Sequence, residues 1–146
     1  MSITRIFLTL LTLLLLAPSG YAQDMSPVGI WLHENKRIKL EIKSCGDNLC
    51  GMLVWFKWPN DADGLPMVDL KNPVQALQTR PLLGMTVLTD LHRADDGTWK
   101  GGEIYNPDDG KEYKVKLSIQ EDGNLRARVY VFLSLFGETQ IWTRAD

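Results

Sequence analysis

Three stretches of this chain alternate apolar and polar residues with a period of two. Lys39 and Glu41 separate Ile38, Leu40 and Ile42; Lys114, Lys116 and Ser118 separate Tyr113, Val115, Leu117 and Ile119; Arg126, Arg128 and Tyr130 separate Leu125, Ala127, Val129 and Val131. An extended backbone points successive side chains to opposite faces, so each stretch reads as a strand with one face buried and one in water. Turn-forming residues fall between the runs, at His33-Glu34-Asn35, Gly46-Asp47-Asn48, Asp95-Asp96-Gly97, Asn106–Gly110 and Glu121–Asn124. Eight strands are expected, at about 28–33, 36–45, 50–57, 84–92, 98–105, 111–120, 124–132 and 138–144. Tight turns force antiparallel pairing in sequence order. Eight such strands close into an up-and-down barrel, which leaves no edge exposed. The expected fold is therefore all-β, an eight-stranded antiparallel up-and-down barrel; a two-sheet sandwich is the alternative that alternation alone permits.

One connection breaks the meander. Lys57 to Leu83 is long and rich in Pro, Asp and Gly. Asn72-Pro73 reads as an N-cap followed by proline at the first helical position, so Val74 to Thr79 is expected to form a short helix stopped before Pro81. A long insertion among tight turns is a place to look for function.

The N-terminus specifies a compartment. Met1 to Arg5 carries one positive charge, Ile6 to Ala17 is apolar but for two threonines, and Gly20-Tyr21-Ala22 presents small residues for cleavage. These are the three parts of a secretory signal peptide, expected at 1–22 and cleaved after about Ala22, with a barrel domain at 23–146. The apolar stretch falls short of the roughly 20 residues that span a membrane. No cysteine follows it to take a lipid, and no later stretch is long enough to cross. The expected location is the periplasm or the exterior. Arg5 is the only charge removed with the signal, leaving 15 basic against 18 acidic residues. That mildly acidic balance, with no basic block, argues against nucleic acid as a partner.

Export makes a disulfide available to the two cysteines, Cys45 and Cys50, which flank the turn residues Gly46-Asp47-Asn48-Leu49. A redox-active pair has two intervening residues at a helix start, and a zinc site needs further ligands; neither pattern is present, so a structural staple is expected.

Gly29-Ile30-Trp31 opens the first strand and Trp142-Thr143-Arg144 ends the last, which are neighbours in a closed barrel. Trp31 is expected to plug one end with the Arg144 guanidinium over its ring. Here the sequence resembles the lipocalin-like barrels, in which a G-x-W near the start and a late Arg play those parts. A second resemblance covers nearly the whole chain after the signal. It rests on Cys45–Gly51 (CGDNLCG), Asp69–Pro73 (DLKNP), Arg80–Gly84 (RPLLG), Gly101–Pro107 (GGEIYNP) with Gly110-Lys111, and Gln140–Arg144 (QIWTR). With these strings in this order the chain resembles the exported bacterial "domain of unknown function 2147" family. The resemblance implies a lipocalin-like barrel in the periplasm and no settled activity.

Enzyme signatures fail on inspection, so no catalytic residue is assigned and a non-enzyme is favoured. No G-x-S-x-G elbow is present. Asp61-Ala62-Asp63-Gly64 is not a calcium loop, because the first and twelfth ligand positions would be Pro59 and Leu70. No metal or cofactor is expected. The candidate ligand-binding residues are Asp69, Lys71, Asn72 and Arg80 in the long connection, with Arg80 facing an anionic group; Trp55 and Trp58, able to stack on an apolar ligand; and Glu103 with Tyr105. A competing reading makes Asp69, Arg80 and Asn72 an internal network that orders the loop. Gly101-Gly102 marks either a bend or a wall kept bare for a ligand. The first functional hypothesis is a barrel lumen binding a small, largely apolar or amphipathic molecule. A filled barrel acting as a structural or interaction protein is the second, and a hydrolase or isomerase built in the lumen the third.

Overall fold

A computed structural model describes residues 26–146, so the expected signal peptide lies outside the described residues. The strands are β1 Gly29–Leu32, β2 Ile38–Cys45, β3 Asn48–Phe56, β4 Thr86–Arg93, β5 Trp99–Asn106, β6 Lys111–Ile119, β7 Leu125–Tyr130 and β8 Glu138–Arg144. They pair in sequence order and the sheet closes through β1 and β8. The closed barrel, rather than a sandwich, is thus the answer to the alternation.

Closure rests on the two residues singled out from the sequence. Trp31 stands opposite Arg144 in the register, and the guanidinium lies 4.4 Å from the centre of its ring. The indole is fully buried and donates to the Pro27 carbonyl at 2.7 Å. Gly29 sits at φ 136°, where a side chain is strained, and a Cβ there would collide with the Arg144 guanidinium. Glycine is therefore required for the arginine to reach the tryptophan.

The two barrel ends differ. The closed end carries both chain ends of the barrel, the β2–β3 hairpin and the β6–β7 turn. Ile42, Leu88, Leu91, Val115, Leu117, Leu125 and Ala127 pack there without solvent access. The Cys45–Cys50 bond clamps the hairpin at this end, linking residues whose Cα atoms are 5.8 Å apart. Cys45 pairs with Asn48 and Cys50 with Lys43, so the bond runs diagonally across the two strands. The open end carries the long loop 57–85 and the β7–β8 loop 131–137.

Local departures from the alternation reset which side chains face inward. β3 gains one residue against β2, the partner stepping from Trp55 to Leu53 as β2 moves from Lys39 to Leu40. A bulge exchanges the faces of the residues beyond it. Phe56 therefore turns inward and Trp55 outward, where Lys39 Nζ lies 5.4 Å from its ring centre. β5 likewise gains one residue against β6 between Trp99 and Gly102, with Gly101 at φ 79° and, on the neighbouring β4, Asp90 at φ 57°. A Cβ on Gly102 would run into the Thr89 carbonyl and Leu91. The glycine pair is thus a bend where two backbones approach closely, not a bare wall for a ligand.

The short helix is smaller than expected. It is a single 3-10 turn, Gln75–Leu77, whose N-cap is Val74 rather than Asn72. The Asn72 carboxamide instead accepts from the Val74 amide at 2.9 Å, closing an Asx turn two residues ahead of the helix.

Candidate functional site

Above the packed half, the barrel holds a cavity of about 740 Å³ at the open end. Its wall includes Leu40, Leu53, Phe56, Val87, Ile104 and Val129 from the strands, with Met67 and Leu82 supplied by the long loop. Two arms of that loop bring those residues over the mouth. Leu82 N donates to Met67 O and Asp69 N to Arg80 O, each at 3.0 Å, around a Val68–Pro81 bridge. Backbone bonds from Gly84 to Leu53 and from Leu53 to Met85 then tie the loop to β3.

One polar constellation projects into this space. Gln140 Oε1 accepts from Trp142 Nε1 at 3.1 Å and pairs with His33 Nε2 at 2.9 Å. An indole nitrogen only donates, which places the oxygen of the Gln140 amide on this side. His33 therefore donates through Nε2 and accepts the Asn35 amide at Nδ1. The Gln140 amide nitrogen is left without a protein partner among the described residues, on a side chain that lines the cavity. Asp109 and Tyr113 form a second polar pair at the rim, joined by a hydrogen bond from the phenol. Burial pushes the Asp109 carboxyl up, but bonds from Tyr113 and the Lys111 amide outweigh it and hold the carboxyl below its usual range. The same bond to Asp109, with burial, raises the Tyr113 phenol.

The expected ligand-binding residues divide sharply. Trp58 and Tyr105 line the cavity. Asp69, Asn72 and Arg80 do not; they form the internal network that was the competing reading. Asp69 is fully buried and accepts from Arg80 Nε at 2.9 Å, Asn72 Nδ2 at 2.8 Å and the Tyr105 hydroxyl at 2.7 Å. Arg80 Nη2 adds an ion pair at 2.8 Å, so its charge is already spent on Asp69 and is not held for an anionic ligand. Burial raises the Asp69 carboxyl, yet the bonds from Tyr105, Asn72 and Arg80 prevail and hold it below its ordinary value. Burial and the bond to Asp69 push the Tyr105 phenol up. Lys71 is exposed, and its carbonyl packs against Gly110 outside the cavity. Trp55 is turned away by the β3 bulge. Glu103 also faces outward and pairs with Lys114, so it is not an acid in the lumen. The sequence reading missed His33, Gln140 and Trp142 as a group. The one available signal was that Gln140 and Trp142 share a strand face while the β1–β2 turn at His33 adjoins it through barrel closure.

A family model described as "Uncharacterized protein conserved in bacteria (DUF2147)" matches residues 29–144, the whole barrel. The chain belongs to this DUF2147 family. No curated protein matches the sequence. Among solved structures, this chain is similar in shape to protein HP1028 from the human pathogen Helicobacter pylori, described as belonging to the lipocalin family. It is 25% identical, with a TM-score of 0.70 over 84% of each chain. The fold of this DUF2147 chain is accordingly lipocalin-like.

Proposed function

We propose that this DUF2147 protein is exported to the periplasm and binds one small, largely apolar or amphipathic molecule in the open half of its barrel. The observation that carries the reading is the cavity of about 740 Å³, within the size range of small-molecule sites at roughly 300–1,000 Å³. Eight-stranded barrels either fill their interior or hold one small ligand. Here the closed half is filled and the open half is not, which weighs against the reading of a wholly filled interaction protein. The apolar wall contributes affinity through burial, and the unpartnered Gln140 amide donates to a polar group of the ligand and so fixes its orientation. Lipocalin-like architecture supports a binding role only at the level of fold, since function lives in the site.

A calorimetric screen of fatty acids and related amphiphiles against residues 23–146 tests this. Binding is expected at one molecule per barrel, weakened by Val129→Trp, whose indole narrows the cavity, and by Gln140→Leu. Absence of binding across the screen, or binding untouched by Val129→Trp, overturns the proposal.

A further inference from the structure

The apolar surface of this protein is distributed unevenly. Among the described residues, thirteen large hydrophobic side chains are exposed, and eleven of them lie in the two loops at the open end. The β7–β8 loop is the extreme case: Phe132 is 90% exposed, Leu135 77% and Phe136 80%. A folded protein that leaves such a patch uncovered uses it for contact.

The charge beside this loop is equally one-sided. Residues 125–137 contain two arginines and no acid. Arg126 and Arg128 have no carboxylate partner among the described residues, and Lys116 has only Asp96 at 3.5 Å. Lys116 and Arg128 stand directly opposite each other on β6 and β7, a like-charge pairing that costs stability. Arg128 donates to the Ser134 and Leu135 carbonyls at 2.6 and 2.9 Å, which holds the loop against the basic strands. The three cations and the loop then line one shared groove of about 380 Å³. At the same end Trp58, also exposed, has Arg37 and Lys57 over its ring at 5.5 and 4.8 Å.

We infer that the open end docks on an anionic lipid bilayer, with Phe132 and Leu135 entering the acyl boundary and Lys116, Arg126 and Arg128 facing the headgroup phosphates. A bilayer offers an apolar layer beside a negative one, and this surface presents the complement of both, an exposed apolar loop and a basic groove against it. Tryptophans flanked by cations favour the same interface. The docking goes beyond the proposed ligand binding and does not depend on what the cavity holds.

The test is co-sedimentation of residues 23–146, which contain the whole closed barrel, with phosphatidylcholine vesicles made with and without phosphatidylglycerol. Binding is expected on the anionic vesicles and is expected to fall as salt is raised. Phe132→Ser and Leu135→Ser should each lower partitioning about tenfold. Arg126→Gln should lower it about fivefold on anionic vesicles alone. All three positions are on the surface, so circular dichroism should be unchanged. No binding to either vesicle, equal binding to both, or insensitivity to all three variants overturns the inference. So does a dimer in sedimentation that Phe132→Ser dissolves, which would make the occupant a second copy of the chain. Ligand calorimetry on Phe132→Ser separates this failure from failure of the cavity proposal, because Phe132 does not line the cavity.

Discussion

Replacing Asp69 by Asn should destabilise the protein by about 3 kcal/mol at neutral pH. The carboxylate has no solvent access and satisfies Arg80, Asn72 and Tyr105 together. Asparagine keeps the shape but presents an NH2 where one oxygen accepted, so at least one of those donors faces another donor. Removing one partner of a buried pair costs about 3–5 kcal/mol. The Arg80 side chain is 36% exposed, and water takes up part of its loss, so the lower figure applies. The assay is urea denaturation followed by tryptophan fluorescence. The pH dependence gives a second readout. Asp69 has a folded-state pKa below its ordinary value near 3.8, so its stabilisation is complete above that pH and is lost as pH falls through the folded value. The gap between the native protein and Asp69→Asn should therefore be constant from pH 7 to about 5 and close below about pH 4. A loss under about 1 kcal/mol, or a gap that widens in acid, would refute the reading of Asp69 as the ionised hub of the loop.

Three further outcomes are expected. The Arg144 side chain is 43% exposed, so Arg144→Ala should cost about 1 kcal/mol and shift the Trp31 fluorescence, and an unchanged denaturation midpoint would contradict closure through that pair. Denatured, unreduced protein should contain no titratable thiol, and reduction should cost about 2 kcal/mol, given so short a loop; two reactive thiols would end the claim. Gly102→Ala should lose on the order of 2 kcal/mol or more, measured by thermal denaturation, because its Cβ meets the β4 backbone; a neutral result would mean that the bend tolerates a side chain.

Most of the barrel was legible because period-two alternation reports a physical fact, that one strand face is dry. Leu40, Ile42, Val115, Leu117, Leu125 and Ala127 all took the inward positions their spacing assigned. The errors arose where one residue is inserted. The β3 bulge carries no composition signature, yet it turned Trp55 to solvent and put Phe56 in its place. Glycine at 101 and 102 announced an irregularity without revealing which way Glu103 would face. The Asp69–Arg80 pair was readable as charges near each other in one loop, but burial decided between a network and a ligand site, and burial is set by how the loop arms pair. The expected strand at 124–132 ran two residues too far, because an apolar run does not say where a strand ends; the chain leaves the sheet after Tyr130 and exposes Val131 and Phe132.

Native mass spectrometry of the protein purified from its own cells tests the central claim most directly. The account predicts a chain beginning near Gln23 that carries one bound molecule of small mass per barrel, with the adduct depleted in Val129→Trp prepared in parallel. A bare chain in every preparation, or an adduct equally abundant in Val129→Trp, would contradict it.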